Sequence, residues 1–500
     1  MMIAKYIEEL LVYASKNLSL EAEDIIFYRN YLMSEFNVTH PYEGEVDVEE
    51  IESLEVPDVL VKKFMDYMIS NGLSEKEADA KLTKIFGLLS PIPSKTIDTF
   101  NSLYSVDPKL ATSYLFDLGI KSNYVQKTKI EQNVIIPGEI NGHDIVITIN
   151  LSKPEKSNKD IKAALATPKN EVNYPLCPIC ITNEGCIGSA KTAPRGNLRL
   201  IPMRLADNDW YLQYSPYGYY NEHCILILKD HLPMVVKKEY IAALFEFVDV
   251  LPHYFIGANS DLPIVGGSIL SHEHFQGGNY VLPLMKASDR TILEGRKENV
   301  KYAILDWPSF CLHLSSSDKQ TLIEEADEIL KVWKSFSYED ADIIAKTDEP
   351  HNTITSIVTK DGDTYNLYII PRNNRTTDEL PGGIFHVRPE LQIIKNEGIG
   401  LIEAMGLFIL PARLKRQLKL VEEIVNNPVK REDIYQEYED MNAFDHIIND
   451  LIDGKYESID DLLIRTGESI LEDINVFKNK EHGKDGMLAF LKELGLWNNI

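Results

Sequence analysis

Nothing in this 500-residue chain approaches the roughly 18 uninterrupted apolar residues that a membrane-spanning helix requires. The most apolar run, from Ile399 to Leu410, is broken by Glu403 and closed by Pro411, so no membrane partner is expected. Nor is a secretory leader expected in the first 36 residues, where Glu8, Glu9, Glu21, Glu23 and Asp24 fall within helical periodicity. Cysteine is scarce: five residues, two of them in one Cys-x-x-Cys, suit a reducing compartment better than a disulfide framework, and a cytoplasmic protein is expected. Basic charge is in deficit too. With 51 Lys and Arg against 77 Asp and Glu, the net charge of −26 argues against nucleic acid as a partner. The same excess repels anionic substrates at long range, so a phosphate site here must work by local arrangement. Most of the acidity reads as solubility.

What is present is ordinary for a globular protein, with 44% hydrophobic and 26% charged residues in a chain long enough for several units. The first 130 residues read as helices. Ser74-Glu75-Lys76-Glu77 has the form of a capping box, and Asp107-Pro108 predicts a second helix start with an end near Gly119. Around residue 134 the period changes to two. Val134–Ile136 and Ile145–Leu151 flank Asn141-Gly142, a hairpin signal. Strands are predicted at Trp210–Tyr214 and His223–Leu228, then a helix near 237–250 and a strand carrying His272, His274 and Gln276. A second round follows, with a helix near 318–336 and a hairpin of Thr353–Thr359 and Thr364–Ile370 about Asp361-Gly362. From Leu391 onward helices are expected to return, separated by Pro411 and Pro428.

The segment Ser271 to Val281 reads Ser-His-Glu-His-Phe-Gln-Gly-Gly-Asn-Tyr-Val. In an extended chain side chains two apart share a face, so His272, His274 and Gln276 converge while Glu273 and Phe275 point away. A neutral imidazole with a free pKa near 6.5 offers a lone pair to phosphorus without an added base. Gly266-Gly267-Ser268 before the segment and Gly277-Gly278 after it let backbone N–H groups approach phosphate oxygens. Two histidines at this spacing also suit a half-buried strand with satisfied imidazoles, or a pair of metal ligands. Cys177 and Cys180 likewise suit a zinc site, a redox pair or two buried thiols.

Taken with Gln213-Tyr214-Ser215-Pro216-Tyr217, Tyr220-Asn221-Glu222-His223, Cys177-Pro178-Ile179-Cys180 and Pro350-His351-Asn352-Thr353, the histidine segment resembles that of galactose-1-phosphate uridylyltransferases. The likeness is to the type 2 form, common in Gram-positive bacteria, of a family related to the histidine-triad proteins. Where the commoner form has His-Pro-His-Gly-Gln, this chain has His272-Glu273-His274-Phe275-Gln276. The resemblance spans roughly residues 170–410 and implies an α+β fold of two histidine-triad-like halves, mostly antiparallel sheet plus helices, between helical ends. On that reading residues 1–130 are a helical N-terminal region, 131–285 the half with the nucleophile, 286–411 the second half and 412–500 an acidic helical C-terminal region.

The activity so implied is a ping-pong exchange of uridylate between UDP-glucose and galactose 1-phosphate, in galactose metabolism, with His274 as nucleophile and Gln276 donating to phosphate. Arg195, Asn259, Gly267, Ser268, Arg372, Arg375 and His386 are the residues expected at the substrate, with Arg199 a further cation near the motifs. A structural zinc on Cys177, Cys180, His231 and His272 is implied, with Cys186 and His223 as substitute ligands, and no organic cofactor. The commoner form's second metal site uses a His-x-His-Phe stretch. Here the comparable place reads His386-Val387-Arg388-Pro389, so a second metal is not expected. A homodimer accords with the resemblance. Two other readings share the residues: a histidine-triad hydrolase or dinucleoside polyphosphate phosphorylase, and a sugar-nucleotide binding protein without turnover.

Overall fold

The Ser74 hydroxyl accepts the Glu77 N–H while the Glu77 carboxylate accepts from the Ser74 backbone, and this reciprocal cap starts the helix Glu75–Leu89. Asp107 caps the helix Pro108–Lys121 through the Lys109 N–H at 2.8 Å. That helix runs two residues beyond the predicted end, because the Gly119 carbonyl accepts the Tyr124 and Val125 N–H groups instead of closing the helix at Gly119. These elements belong to a computed structural model describing residues 2–152, 174–189, 192–479 and 481–497.

The chain divides into two compact units. The first comprises Met1–Glu131, Lys169–Gly218 and Glu222–His231; the second comprises Gln132–Pro168, Tyr219–Asn221 and Leu232–Ile500. In the first, helices Met2–Asn17, Asp58–Ser70 and Glu75–Leu89 turn apolar faces inward, burying Leu10, Leu60, Phe64, Ile85 and Phe86 completely.

Strands β1 (Val134–Ile140) and β2 (His143–Asn150) pair about Asn141 and Gly142, both at positive φ as a two-residue hairpin of the primed type requires. Two rounds of the same order follow. β3 (Ile201–Leu205), β4 (Asn208–Tyr214) and β5 (Cys224–Leu228) form an antiparallel meander. The helix Lys238–Val250 comes next, then the hairpin of β6 (Phe255–Ala258) and β7 (His274–Gly278). The second round repeats it with β8 (Asp289–Leu293), β9 (Lys301–Leu305) and β10 (Leu312–Ser316), the helix Lys319–Ser335, and the hairpin of β11 (Asn352–Asp361) and β12 (Thr364–Asn373). The fold class is α+β. β6 pairs antiparallel with β11, and both helices cover one face of that sheet. Phe275 points into this face, its ring 4.5 Å from that of Tyr240, which leaves His274 and Gln276 for the other face.

Two expectations need correction. Within the stretch where only helices were expected, β13 (Leu407–Pro411) lies parallel to β2, with all five residues buried. A short apolar run has no period that separates a buried strand from a buried helix, and here the neighbouring strand decides. The histidine strand, in turn, begins at His274, so His272 precedes it. The segment before the strand is shaped by the chain at 232–234: the Glu273 N–H donates to the Leu232 carbonyl at 2.7 Å, and the Met234 N–H to that of Leu270 at 2.9 Å.

Candidate active site

His274 sits 6% exposed at the head of β7, and its Nδ1 lies 2.7 Å from the His272 carbonyl oxygen. A carbonyl only accepts, so the proton is on Nδ1 and the lone pair on Nε2. Burial first of all holds the ring neutral, pulling its pKa down to about 4. The tautomer is thus set with the lone pair on Nε2, an arrangement that can serve nucleophilic attack, and the same carbonyl would stabilise a cationic ring. The His274 backbone N–H donates to Met234 Sδ at 3.3 Å.

Gln276 stands opposite Gly257 and Gly277 opposite Ile256. No side chain fits at Gly277, where a Cβ would lie 2.4 Å from the Phe255 carbonyl oxygen. The glycine turn is equally tight. A Cβ at Gly266 would meet the Ser260 carbonyl at 2.5 Å, and one at Gly267 would meet Asn259 Nδ2 at 2.7 Å, while Ser268 is exposed. Asn259 is buried, and its Oδ1 accepts the Leu401 N–H at 2.7 Å, so its carboxamide ties the 400–401 loop to the glycine turn. Ile264, on the way into that turn, has φ +76°, a strained value for a β-branched residue.

Among the expected arginines, Arg372 is fully buried. Its Nη2 donates to the Ile399 carbonyl at 2.8 Å, while Nε and Nη1 have no partner among the described residues. Burial depresses its pKa to about 10. Arg375 is held by Asp342, donating to its carbonyl at 2.9 Å. Arg195 lies over the Tyr124 ring and donates to the Pro194 carbonyl. Arg199 offers little to a phosphate, because its donors go to the carbonyls of Pro91, Gly196, Leu198 and Gly87. His386 is buried with both ring nitrogens unpartnered among the described residues, and burial, then Arg372 and Lys395, lower its pKa to about 4. Arg388, two residues on, is bound through Nε and Nη2 to the Asp473 carboxylate.

Among the described residues, Cys177, His231 and His272 form a group that could hold a metal ion, their ligand atoms all within 4.8 Å of one another. Cys180 is outside that group, although its buried thiol hydrogen-bonds Cys177. That bond, with burial, raises the Cys177 thiol well above its ordinary range. Two thiols and two imidazoles make a nitrogen and sulfur donor set suited to zinc.

Sequence reasoning missed Met234 as the acceptor for the His274 N–H and the buried Lys395, whose ammonium bonds Glu397 at 2.9 Å and Glu403 at 3.1 Å. Neither carries a motif. Each is recognisable only once the fold has buried it.

A family model described as "Galactose-1-phosphate uridyl transferase, N-terminal domain" matches residues 36–233. A galactose-1-phosphate uridylyltransferase of Caldanaerobacter subterraneus subsp. tengcongensis is 41% identical over 98% of each chain. Proteins of the same name from Fusobacterium nucleatum subsp. nucleatum and Clostridium acetobutylicum are 37% and 39% identical over 99% of this chain, covering 99% and 100% of theirs. Among solved structures, yeast Ap4A phosphorylase Apa2 in complex with Ap4A aligns with 63% of this chain and 92% of its own, at 13% identity and a TM-score of 0.35.

Proposed function

We propose that this chain, which belongs to the galactose-1-phosphate uridylyltransferase family, exchanges uridylate between UDP-glucose and galactose 1-phosphate through a uridylyl-His274 intermediate. The observation that carries the reading is the orientation of His274, with Nδ1 bound to the His272 carbonyl so that the lone pair is on Nε2. Nε2 attacks the α-phosphorus of UDP-glucose, the bond to the β-phosphate oxygen breaks, and glucose 1-phosphate leaves with the electron pair. A phosphate oxygen of galactose 1-phosphate then attacks the same phosphorus, the N–P bond breaks and His274 returns to its neutral form. Sugar phosphate is a good leaving group, so no general acid is needed. Gln276 and the backbone at Gly267 and Ser268 are placed in this reading to donate to the phosphate oxygens, and Arg372 to donate from Nε and Nη1, which have no partner among the described residues. Asn259 positions the glycine turn, with Arg195 and Arg375 as more distant cations.

Zinc is assigned to Cys177, Cys180, His231 and His272. It would brace the segment before β7, and four protein ligands leave it no position for substrate. The domain reading goes with this proposal, residues 131–285 carrying the nucleophile and 286–411 the second half. So do a cytoplasmic site of action and a homodimer, the latter tested by sedimentation. No helix among the described residues is long and apolar enough to cross a membrane.

Incubation with UDP-glucose radiolabelled in the uridylate tests the reading. Stable labelled protein, discharged by galactose 1-phosphate and lost in His274→Ala, is the expected result. Free uridylate without acceptor would make the protein a hydrolase, bound nucleotide without label a binding protein, and a labelled His274→Ala variant would remove His274 from the role.

A further inference from the structure

The peptide between His272 and Glu273 is held from both sides. Its carbonyl lies 2.7 Å from His274 Nδ1 and sets the tautomer of that ring, while its N–H donates to the Leu232 carbonyl at 2.7 Å. One peptide plane carries both groups, so whatever fixes Leu232 also fixes the carbonyl beside His274. The chain at 232–236 has no helix or strand of its own. It meets the histidine segment again where the Met234 N–H donates to the Leu270 carbonyl at 2.9 Å and Met234 Sδ accepts the His274 N–H at 3.3 Å. Leu232, Pro233 and Val235 are exposed, so packing restrains this stretch only at Met234 and Val236. Side chains hold its far end. The Val236 N–H donates to the Asp261 carboxylate at 2.8 Å, and Lys334 donates to the Val236 carbonyl at 2.9 Å.

Asp261 is itself tied to β11. The Thr353 hydroxyl donates to its other carboxylate oxygen at 2.5 Å, and the hydroxyl of neighbouring Ser260 donates to the Ile354 carbonyl at 3.2 Å. Thr353 is fully buried, and its own carbonyl accepts the Trp333 indole N–H at 2.8 Å. The anchor is therefore part of the sheet, although Asp261 lies in the loop between β6 and β7. We propose that Asp261 is a positioning residue for the transfer: braced by Thr353, it holds the 232–236 stretch so that the His272 carbonyl stays on His274 Nδ1. The proposal rests on the reading of His274 as the nucleophile. The competing role for Asp261 is to secure the start of the helix Lys238–Val250, whose cap residue Lys237 makes no side-chain cap bond. That role would leave the His274 ring unchanged.

Three variants of the full chain separate these roles. Asp261→Leu removes both bonds. Asp261→Asn keeps an oxygen for the Val236 N–H and turns an amide donor toward the Thr353 hydroxyl, which can accept it. Thr353→Val removes the brace alone. Single-turnover labelling at saturating UDP-glucose should slow about 100-fold in Asp261→Leu, as a small misplacement of a reacting group does. The half-saturating concentration should change little, and Asp261→Asn should recover most of the rate. Heteronuclear NMR of protein carrying isotopically labelled histidine reads the ring directly, the resonances missing from His274→Ala being those of His274. At neutral pH they should show Nδ1 protonated in the parent and in Asp261→Asn, and a mixture of tautomers in Asp261→Leu. Should Asp261→Leu fail to fold, Thr353→Val decides in its place, with a smaller change in the same direction. An unchanged labelling rate, or a slowed one with the tautomer intact, overturns the proposal. A changed tautomer in a protein whose parent is never labelled retires the transferase and keeps the positioning role; a labelled parent with every variant alike does the reverse.

Discussion

Replacing Arg372 with methionine should leave the protein at least as stable while removing its activity. The guanidinium has five N–H donors and, among the described residues, one hydrogen-bond partner, the Ile399 carbonyl. Burial lowers its pKa from 12.5 to about 10, and at 1.36 kcal/mol per unit the charged form is disfavoured by about 3 kcal/mol. That figure is already net of the attraction to Glu403, and against it stands one charge-assisted hydrogen bond, worth about 2 kcal/mol. Methionine nearly matches the volume and needs no partner, so the net change is a gain of about 1 kcal/mol or none. Exchange, in contrast, should fall by about 100-fold or more in kcat/KM, as when one preorganised donor to a developing charge is removed. Urea midpoints for parent and variant, beside exchange assays at saturating and limiting UDP-glucose, check both halves. A variant destabilised by more than about 2 kcal/mol with exchange intact would refute the argument, since Arg372 would then be a structural residue whose free donors await nothing.

Protein purified without added metal should contain one zinc per chain by elemental analysis and lose it in Cys177→Ser; a metal-free protein that is fully active and normally stable removes the assignment. The His386 pKa is depressed when folded, so the unfolded chain binds more protons between pH 6.5 and about 4. Its contribution is therefore complete above pH 6.5 and lost as pH falls through that window, about 3 kcal/mol in all. Unfolding free energy measured against pH should show a shallower slope there in His386→Asn than in the parent. Gln276→His introduces a base where the amide can only stabilise charge, so uridylate release from UDP-glucose without acceptor should rise and exchange should fall; unchanged rates of both would show that Gln276 does neither.

Period and punctuation carried much of the fold. The capping box at Ser74, the Asn141-Gly142 hairpin and the helices Lys238–Val250 and Lys319–Ser335 each rest on signals within a few residues, and each forms where those signals lie. β13 was hidden because its run of five buried residues carries no alternation, and what makes it a strand is β2, more than 250 residues away. For the site, alternation sets His274 and Gln276 on the face opposite Phe275, whose ring packs against Tyr240. The roles of Arg199 and Met234 were illegible, because they depend on carbonyls and a backbone N–H that only the folded chain brings near. Asn259 was found for its place in the loop, but its bond to Leu401 spans 142 residues.

The repeated order of strands also explains why one half alone would carry the chemistry. β6 and β11 pair antiparallel at Gly257 and Ile357, which makes that pair the centre of a local two-fold relation. Gly257 faces Gln276 on β7, and Ile357 faces Tyr368 on β12, so Tyr368 occupies the place of Gln276 and Asn366 that of His274. A histidine does lie close by. His313, opposite Tyr368 on β10, is stacked on that ring at 4.8 Å, with Nδ1 2.8 Å from Asp289 Oδ1 and Nε2 3.2 Å from the Asn366 carboxamide. Both its nitrogens are engaged, so it presents no lone pair to a phosphorus atom, whether the ring is cationic or the carboxamide donates to it. His274 differs in that only Nδ1 of the ring has a hydrogen-bond partner among the described residues. Possession of a histidine is thus not what separates the halves. The difference is the single backbone carbonyl of His272, which holds Nδ1 and so sets the lone pair on Nε2.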